Sequence, residues 1–151
     1  MLYRLLYPGR RPSPVARLVN RAWSWLASRG LTPASVVTLE VKGRRSGRSL
    51  CTVLVVGEIA GNRYLVSMLG QRSSWVQNLR AANGEAVMRH GKRQRVRLVE
   101  VPANERAPIL KAYLRPATGA RAHFPLRHDA PVEEFETIAS EYPVFRIESP
   151  E

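Results

Sequence analysis

The spacing of apolar residues predicts one helix near the N-terminus, followed by a region composed mainly of β-strands. Between Pro14 and Arg29 apolar residues recur every three or four positions, with Ser13 before the proline and Gly30 after the last apolar turn. This pattern is typical of an amphipathic helix with proline in its first turn. From Val36 onward apolar and polar residues alternate, as they do in a half-buried strand.

The remaining elements follow from runs of β-branched residues and from the glycine, proline and serine positions that interrupt them. Strands are predicted at residues 36–42, 50–56, 63–68, 86–90, 94–101 and 144–147, with a turn-rich link at 57–62. Short helices are predicted at 73–82, 105–114 and 132–139, and residues 116–131 are predicted to be irregular. Because strands and helices do not alternate as in a parallel sheet, we expect an α+β fold of mostly antiparallel strands, in which short peripheral helices surround a barrel-like sheet.

The length and charge of the chain add constraints on its organisation and partners. A chain of 151 residues suits one domain spanning residues 1–151, with an amphipathic helical segment at 1–31. The 24 Lys and Arg exceed the 12 Asp and Glu, and the net charge of +12 favours a negatively charged partner. The first 39 residues hold arginines and no acidic residue, so the helix either packs on the protein's own core or lies on an anionic membrane.

The sequence also indicates where the protein resides. The single cysteine, Cys51, excludes an intramolecular disulfide and a site with several thiolate ligands. No apolar run approaches the ~20 residues of a membrane-spanning helix, and arginines interrupt every apolar stretch of the N-terminal region. We therefore expect a cytoplasmic protein, with the inner face of the cell membrane as the alternative location.

The signatures of common catalytic sites are missing from the sequence. It contains no dinucleotide or phosphate-loop glycine pattern, no Gly-x-Ser-x-Gly and no His-Glu-x-x-His. The three histidines have no metal-ligand spacing, so no metal site is expected. If the protein is an enzyme, its reactive group is expected to belong to a bound cofactor.

Two basic segments are candidates for binding an anion. Residues 42–48, Lys-Gly-Arg-Arg-Ser-Gly-Arg, place four cations on a tight turn, where the two glycines leave backbone N–H groups accessible. Arg93, Arg95 and Arg97 fall on one face of a predicted strand. A solvated hairpin loop remains the alternative interpretation of the first segment.

The first of these segments, together with a second motif, resembles the signatures of the deazaflavin-dependent nitroreductase family. The similarity lies in Gly43-Arg44-Arg45-Ser46-Gly47 after a strand, in Val66-Ser67 before a glycine-containing loop, and in Trp75-x-x-Asn78-Leu79-Arg80-Ala81. It covers about residues 36–101, and Leu50 stands where the family often has a further arginine. The resemblance implies a split β-barrel, similar to FMN-binding split barrels, and binding of coenzyme F420, a deazaflavin with a phosphodiester and an oligoglutamate tail.

The resemblance also implies roles for individual residues. It assigns cofactor binding to Gly43, Arg44, Arg45, Ser46, Gly47, Ser67, Met68, Leu69, Gly70, Ser74, Trp75 and Asn78. The arginines and Ser46 would hold the phosphate and tail, the segment from Ser67 to Gly70 would lie along the ring system, and the helix residues would close the site. Ser67, Tyr113 or a water molecule would supply a proton to the acceptor.

The expected function is therefore hydride transfer from reduced F420 to a quinone-like, enone or nitro acceptor. The alternatives are a split-barrel protein that binds FMN, a haem-like group or a lipid, and a non-enzymatic basic protein that binds nucleic acid. Aromatic residues make up only 7% of the chain and form no RNA-binding motif, so no nucleic-acid partner is expected. The protein is expected to be a monomer or a homodimer, with a small-molecule electron acceptor as its partner.

Overall fold

The computed structural model describes residues 36–115 and 124–149, which form one seven-stranded antiparallel sheet with three short α-helices. The predicted helix at 14–29 lies outside the described residues. The strands are β1 Val36–Lys42, β2 Ser49–Val55, β3 Gly57–Ile59, β4 Asn62–Val66, β5 Glu85–His90, β6 Lys92–Glu100 and β7 Val144–Glu148. The helices are α1 Ser74–Ala81, α2 Ala107–Tyr113 and α3 Val132–Glu136. The mostly antiparallel α+β prediction is confirmed.

The connection between two strands shows that the sheet curls toward closure. The order of strands across the sheet is β2-β1-β5-β6-β7-β4-β3, so β2 and β3 form its two edges. Along the chain, however, β2 ends at Val55 and β3 begins at Gly57. A single residue, Val56, therefore joins opposite edges, and the sheet must bend until these edges are neighbours.

Two clusters of buried side chains lie on opposite faces of the curled sheet. The side chains of two neighbouring β4 residues enter different clusters, because Val66 belongs to the first cluster and Leu65 to the second. The first cluster packs the strands against α2 and α3, and its aromatic members are Tyr64, Tyr113, Phe124, Phe135 and Tyr142. The second lies under α1, and its members include Leu39, Trp75, Leu79, Met88 and Phe145.

The largest difference from the predicted elements is the link at residues 57–62. Instead of an irregular turn it contains β3, which forms a hairpin with β4 through Ala60 and Gly61. Both turn residues have positive φ, 52° and 80°, as a two-residue hairpin turn of matching twist requires. The strand was missed because three residues flanked by glycines carry too little alternation to be recognised. The strand predicted at 63–68 also ends earlier, since β4 stops at Val66.

The other elements predicted within the described residues are confirmed with shifted boundaries. The β5–β6 hairpin turns at Gly91, with Arg89 opposite Arg93. The helix predicted at 105–114 divides into a 3₁₀ turn at Ala103–Glu105 and α2, with Pro108 in the first turn of α2, where its missing N–H costs nothing. The helix predicted at 132–139 stops at Glu136 and is followed by a 3₁₀ turn at Ala139–Glu141. No helix within the described ranges is long and apolar enough to cross a membrane.

Candidate functional site

The glycine-rich segment predicted to bind an anion forms a compact loop between β1 and β2. The N–H of Gly43 donates to the carbonyl of Arg48 at 2.7 Å, and the N–H of Gly47 donates to the carbonyl of Gly43 at 2.9 Å. Gly47 has a φ of 70°, which favours glycine. A Cβ on Gly43 would lie only 2.9 Å from Ser46 Oγ, so the first glycine permits the close approach of the loop to itself.

The same loop leaves several hydrogen-bond donors available to a ligand. Within residues 36–115 and 124–149, the backbone N–H groups of Arg45 and Ser46 have no acceptor. The hydroxyl of Ser46 accepts from the N–H of Arg48 at 3.2 Å, so its own proton remains free to donate. The guanidinium groups of Arg45 and Arg48 are exposed and form no ion pair with any described carboxylate. This donor set is suited to a phosphate or carboxylate.

Arg44 joins the glycine loop directly to the second signature. Its backbone N–H and its Nη1 both donate to Oδ1 of Asn78, at 3.1 and 2.7 Å. Asn78 lies on α1 and is only 3% exposed. The two signatures, 34 residues apart in sequence, therefore form one structural unit. Because Asn78 already accepts two hydrogen bonds from Arg44, the first role of Arg44 is to fix the loop against the helix.

The segment from Ser67 to Ser73 forms a second, tightly bonded loop after β4. Ser67 is fully buried, its N–H donates to the carbonyl of Pro143 at 2.9 Å, and its Oγ donates to the carbonyl of Gly70 at 2.7 Å. Ser73 Oγ lies 2.9 Å from Ser67 Oγ. Within the described part of the chain, the N–H groups of Met68 and Leu69 have no acceptor, so they can donate to a ligand.

Helix α1 begins directly after this loop with its first donors uncapped. Ser73 occupies the N-cap position, but its side chain makes no capping hydrogen bond. The first N–H groups of the helix, including that of the exposed Ser74, therefore favour a negatively charged group. Trp75 points into the core, where its ring lies 5.5 Å from that of Phe145. Its packing role is thus established, and a role against the cofactor stays a prediction.

Tyr113, the other candidate proton donor, is held in the first buried cluster. It is 2% exposed, and its hydroxyl donates to the carbonyl of Val55 at 2.6 Å. Burial raises the pKa of Tyr113 well above its ordinary value, so the hydroxyl stays protonated. Among the described residues no hydrogen bond connects Tyr113 to the glycine loop or to the Ser67 loop. Its ring also requires Gly57, where a Cβ would lie 2.6 Å from Tyr113 Cδ2.

A network that the sequence did not suggest is connected to the Ser67 loop through Gln71, and we call it the Glu100 ring. It consists of the side chains of Gln71, Arg80, Glu100 and Arg106 with the carbonyls of Ala139 and Ser140. Hydrogen bonds to Arg80 and the charges of both arginines lower the pKa of Glu100 below its ordinary 4.5. The stabilisation from this carboxylate is therefore complete above that value and is lost as the pH falls through the lowered pKa.

The arginine stripe predicted on β6 exists, but its surroundings are not uniformly basic. Arg93, Arg95 and Arg97 are all exposed. Arg93 pairs with Glu40 at 3.1 Å, and Arg97 lies between Glu85 and Glu148 in the register of the neighbouring strands. Interleaved carboxylates would repel a nucleic-acid backbone, so this face provides weak support for a nucleic-acid partner.

Hydrogen-bonded loops define the candidate site, and several of its residues, among them Ser67, Trp75 and Asn78, are buried. Two cavities, of about 200 and 510 Å³, occur elsewhere in these ranges, and no predicted cofactor residue lines either of them. The larger one is bounded by side chains that include Tyr64, Val101, Ile109 and Arg146. The hydrogen-bonded loops, and not a closed pocket, therefore identify the candidate site.

Comparison with known proteins agrees with this geometry. The sequence profile of the F420H(2)-dependent quinone reductase family matches residues 19–123, which is more than half of the chain. No curated protein matches the sequence.

Three solved structures share the fold at low sequence identity. A protein described as a domain-swapped dimer is 18% identical, with a TM-score of 0.55 over 90% of this chain and 100% of its own. An F420-H2 dependent reductase (FDR-A) is 19% identical, with a TM-score of 0.51 over 76% and 95% of the two chains. A conserved hypothetical protein from Mycobacterium tuberculosis is 16% identical, with a TM-score of 0.51 over 82% and 78%. Identities this low show the fold alone, a split β-barrel.

The family profile also bears on the cofactor. It includes both signatures, which the contact between Arg44 and Asn78 joins in the structure. The predicted deazaflavin cofactor, F420, is thereby confirmed in preference to FMN. The chain belongs to the F420H(2)-dependent quinone reductase family and is an F420-dependent reductase.

Proposed function

We propose that this reductase transfers a hydride from reduced F420 to a quinone-like acceptor, with enones and nitro compounds as further substrates. When bound, the reduced deazaflavin supplies the hydride. The protein contributes binding and orientation, because the two signature loops carry hydrogen-bond donors and no carboxylate, histidine or cysteine. The observation that supports this proposal best is the donor-rich glycine loop, anchored to α1 through Arg44 and Asn78.

The residues of the site fit a cofactor that carries a phosphodiester and an acidic tail. We assign the phosphate to the free N–H groups of Arg45 and Ser46 and to the Ser46 hydroxyl, with the Arg45 and Arg48 guanidinium groups beside them. We assign the ring system to the Ser67 loop, where the N–H groups of Met68 and Leu69 would meet polar atoms of the ring edge.

The source of the proton that accompanies the hydride is part of the proposal. The hydroxyls of Ser67 and Tyr113 each donate to a backbone carbonyl, at 2.7 and 2.6 Å. A donor already engaged in the core must break that bond before it can protonate an acceptor. We therefore place water first among the three predicted donors and Ser67, which belongs to the site loop, second.

A titration with two cofactors tests the proposal. The protein should bind F420 with a dissociation constant near or below micromolar, more weakly at high salt, because exposed arginine charges hold the tail. Replacing Arg45 and Arg48 together by Ala should remove about 2–4 kcal/mol of binding free energy. Replacing the exposed Arg95 and Arg97 of β6 together by Ala removes the same charge outside the candidate site and should change the affinity little. Absorbance and fluorescence report binding.

Two outcomes of this titration would contradict the proposal. Tight binding of FMN without detectable binding of F420 would overturn the choice of cofactor. Equal losses for the two double variants would show that the glycine loop is an ordinary solvated turn and that the net charge alone attracts the ligand.

A quinone acceptor would require the protein to act at the membrane surface. A lipid-soluble quinone is reached at the bilayer, and we propose that the basic helix predicted at 14–29 contacts anionic lipid there. Each arginine near such a surface contributes about 1 kcal/mol. The full chain should sediment with vesicles containing anionic lipid at low salt and dissociate at high salt. No sedimentation under these conditions would favour the alternative, in which the helix packs on the core.

We further propose a homodimer as the assembly. A similar structure is described as a domain-swapped dimer, which supports this choice over a monomer. The edge strand β2 exposes Leu50, 45% accessible, and could take part in such a contact. Light scattering of the purified protein distinguishes the two assemblies.

A further inference from the structure

The Glu100 ring connects four segments that are far apart in sequence. Arg80 donates to both carboxylate oxygens of Glu100, at 2.8 and 2.9 Å, and to Oε1 of Gln71 at 2.8 Å. Gln71 Nε2 in turn donates to the carbonyl of Ser140 at 2.8 Å. The Ser67 loop, helix α1, the end of β6 and the 3₁₀ turn at 139–141 are therefore held by one set of bonds.

Arg106 closes the ring from the buried side. It is 5% exposed, and each of its three nitrogens has an acceptor: Nε bonds the carbonyl of Val101 at 2.8 Å, Nη1 that of Ala139 at 3.2 Å, and Nη2 bonds Glu100 at 3.0 Å. Burial lowers the pKa of Arg106, and the positive charge of Arg80 opposes its ionisation further. Among the described residues, Glu100 is thus the one carboxylate that pairs with both neighbouring guanidinium groups and offsets their mutual repulsion.

The ring includes a residue of the Ser67 loop and a residue of helix α1. Gln71 follows Gly70, the last residue assigned to the deazaflavin ring system. Arg80 lies two residues after Asn78, the side chain to which Arg44 is bonded. A shift of the Arg80 side chain would break its bond to Gln71, which belongs to the loop that carries the free N–H groups of Met68 and Leu69.

We propose that Glu100 is a positioning residue for cofactor binding, which acts through Arg80 and Gln71 on the Ser67 loop. The carboxylate does not reach the ligand; it fixes the geometry of donors that do, and a site held loosely loses affinity. This inference rests on the proposed function, because it assumes that the Ser67 loop contacts F420.

Replacing Glu100 by Gln tests this role. The amide keeps one acceptor oxygen, but its NH2 group faces a guanidinium in place of the other oxygen and the negative charge between the two arginines is lost, so the anchor of the loop is weakened. The dissociation constant of F420 should rise about tenfold, a difference of about 1.4 kcal/mol. The KM for menadione at saturating F420 should stay within about twofold, since the ring does not reach the acceptor. Amide hydrogen exchange at residues 68–73 should be faster than in the wild type, even without F420.

Glu148→Gln is the matched control. It breaks an exposed carboxylate–guanidinium pair with Arg146 on β7, which touches neither loop, and should leave both the affinity and the exchange unchanged. A purely structural ring would lower the melting temperature of Glu100→Gln while the folded protein kept wild-type affinity for F420. That result would overturn the proposal.

Gln71→Ala keeps the test decisive if the Glu100 variant does not fold. Gln71 is exposed, and its removal cuts only the link between the ring and the loop. The dissociation constant of F420 should rise about threefold, and an unchanged value would contradict the proposal. If the wild type itself fails to bind F420, the proposed function fails. The exchange measurement then still shows whether the ring orders the loop.

Discussion

Two groups of arginines in this protein differ in how their charge is balanced. In the Glu100 ring, Arg80 and Arg106 share one carboxylate, and Arg106 also bonds two backbone carbonyls. In the glycine loop, Arg45 and Arg48 are exposed and pair with no carboxylate of the described residues. The same residue type thus stabilises the scaffold in one place and is left available to a ligand in the other.

The presence or absence of an acceptor within the protein distinguishes structural from ligand-binding arginines in a chain with a net charge of +12. An arginine whose nitrogens are satisfied within the protein gains little from a ligand, and its removal leaves buried acceptors unsatisfied. Crowded arginines without a counter-charge repel one another, and an anionic ligand relieves that repulsion. Substitution of an arginine in the Glu100 ring should therefore affect mainly the stability of the protein. Substitution of an arginine in the glycine loop should affect mainly the binding of the cofactor.

The largest effect is expected from Arg106→Met. This change should lower the free energy of unfolding by about 3 kcal/mol, because it leaves the carbonyl of Val101 without its donor, removes one of the two donors to the carbonyl of Ala139 and removes one partner of Glu100. The matched change Arg45→Met in the glycine loop should alter stability by no more than about 0.5 kcal/mol. Urea unfolding of both variants provides the measurement. Equal losses would remove the distinction between the two groups.

A smaller effect is expected from Ser46→Ala in the glycine loop. Loss of one hydroxyl donor to a phosphate should weaken F420 binding by about 1 kcal/mol, and loss of its exposed bond to the Arg48 N–H should lower the free energy of unfolding by no more than about 0.5 kcal/mol. Ser49→Ala, an exposed serine of β2, is the control and should alter neither quantity. A wild-type dissociation constant for the Ser46 variant would show that the hydroxyl proton does not reach the cofactor.

Much of the fold and of the site could be predicted because the signals are local. The alternation in β1 and the glycine at the β5–β6 turn lie within a few residues of the structure they specify. The glycine loop was likewise identified from adjacent residues. In contrast, β3 was missed, because its three residues gain their strand conformation from pairing with β4 and not from their own pattern.

The contacts between distant segments could not be predicted from local patterns. The bond between Arg44 and Asn78 spans 34 residues, and nothing in either motif specifies the other as its partner. The Glu100 ring was missed for the same reason, although Arg80 belongs to the second signature. Arg106 gave no signal at all, since a charged residue in the first turn of a predicted helix is normally exposed. Its burial depends on carbonyls supplied by the fold.

The position of β7 in the sheet has a consequence for how the protein is made. This strand pairs with β6 on one side and β4 on the other, with Arg146 opposite both Val99 and Tyr64. Without it, the strands β2-β1-β5-β6 and the hairpin β4-β3 share no ladder. Strand β7, which joins these two parts of the sheet, is the last strand of the described chain to leave the ribosome. The two pieces of sheet therefore cannot be joined in the nascent protein until Val144–Glu148 has left the ribosome.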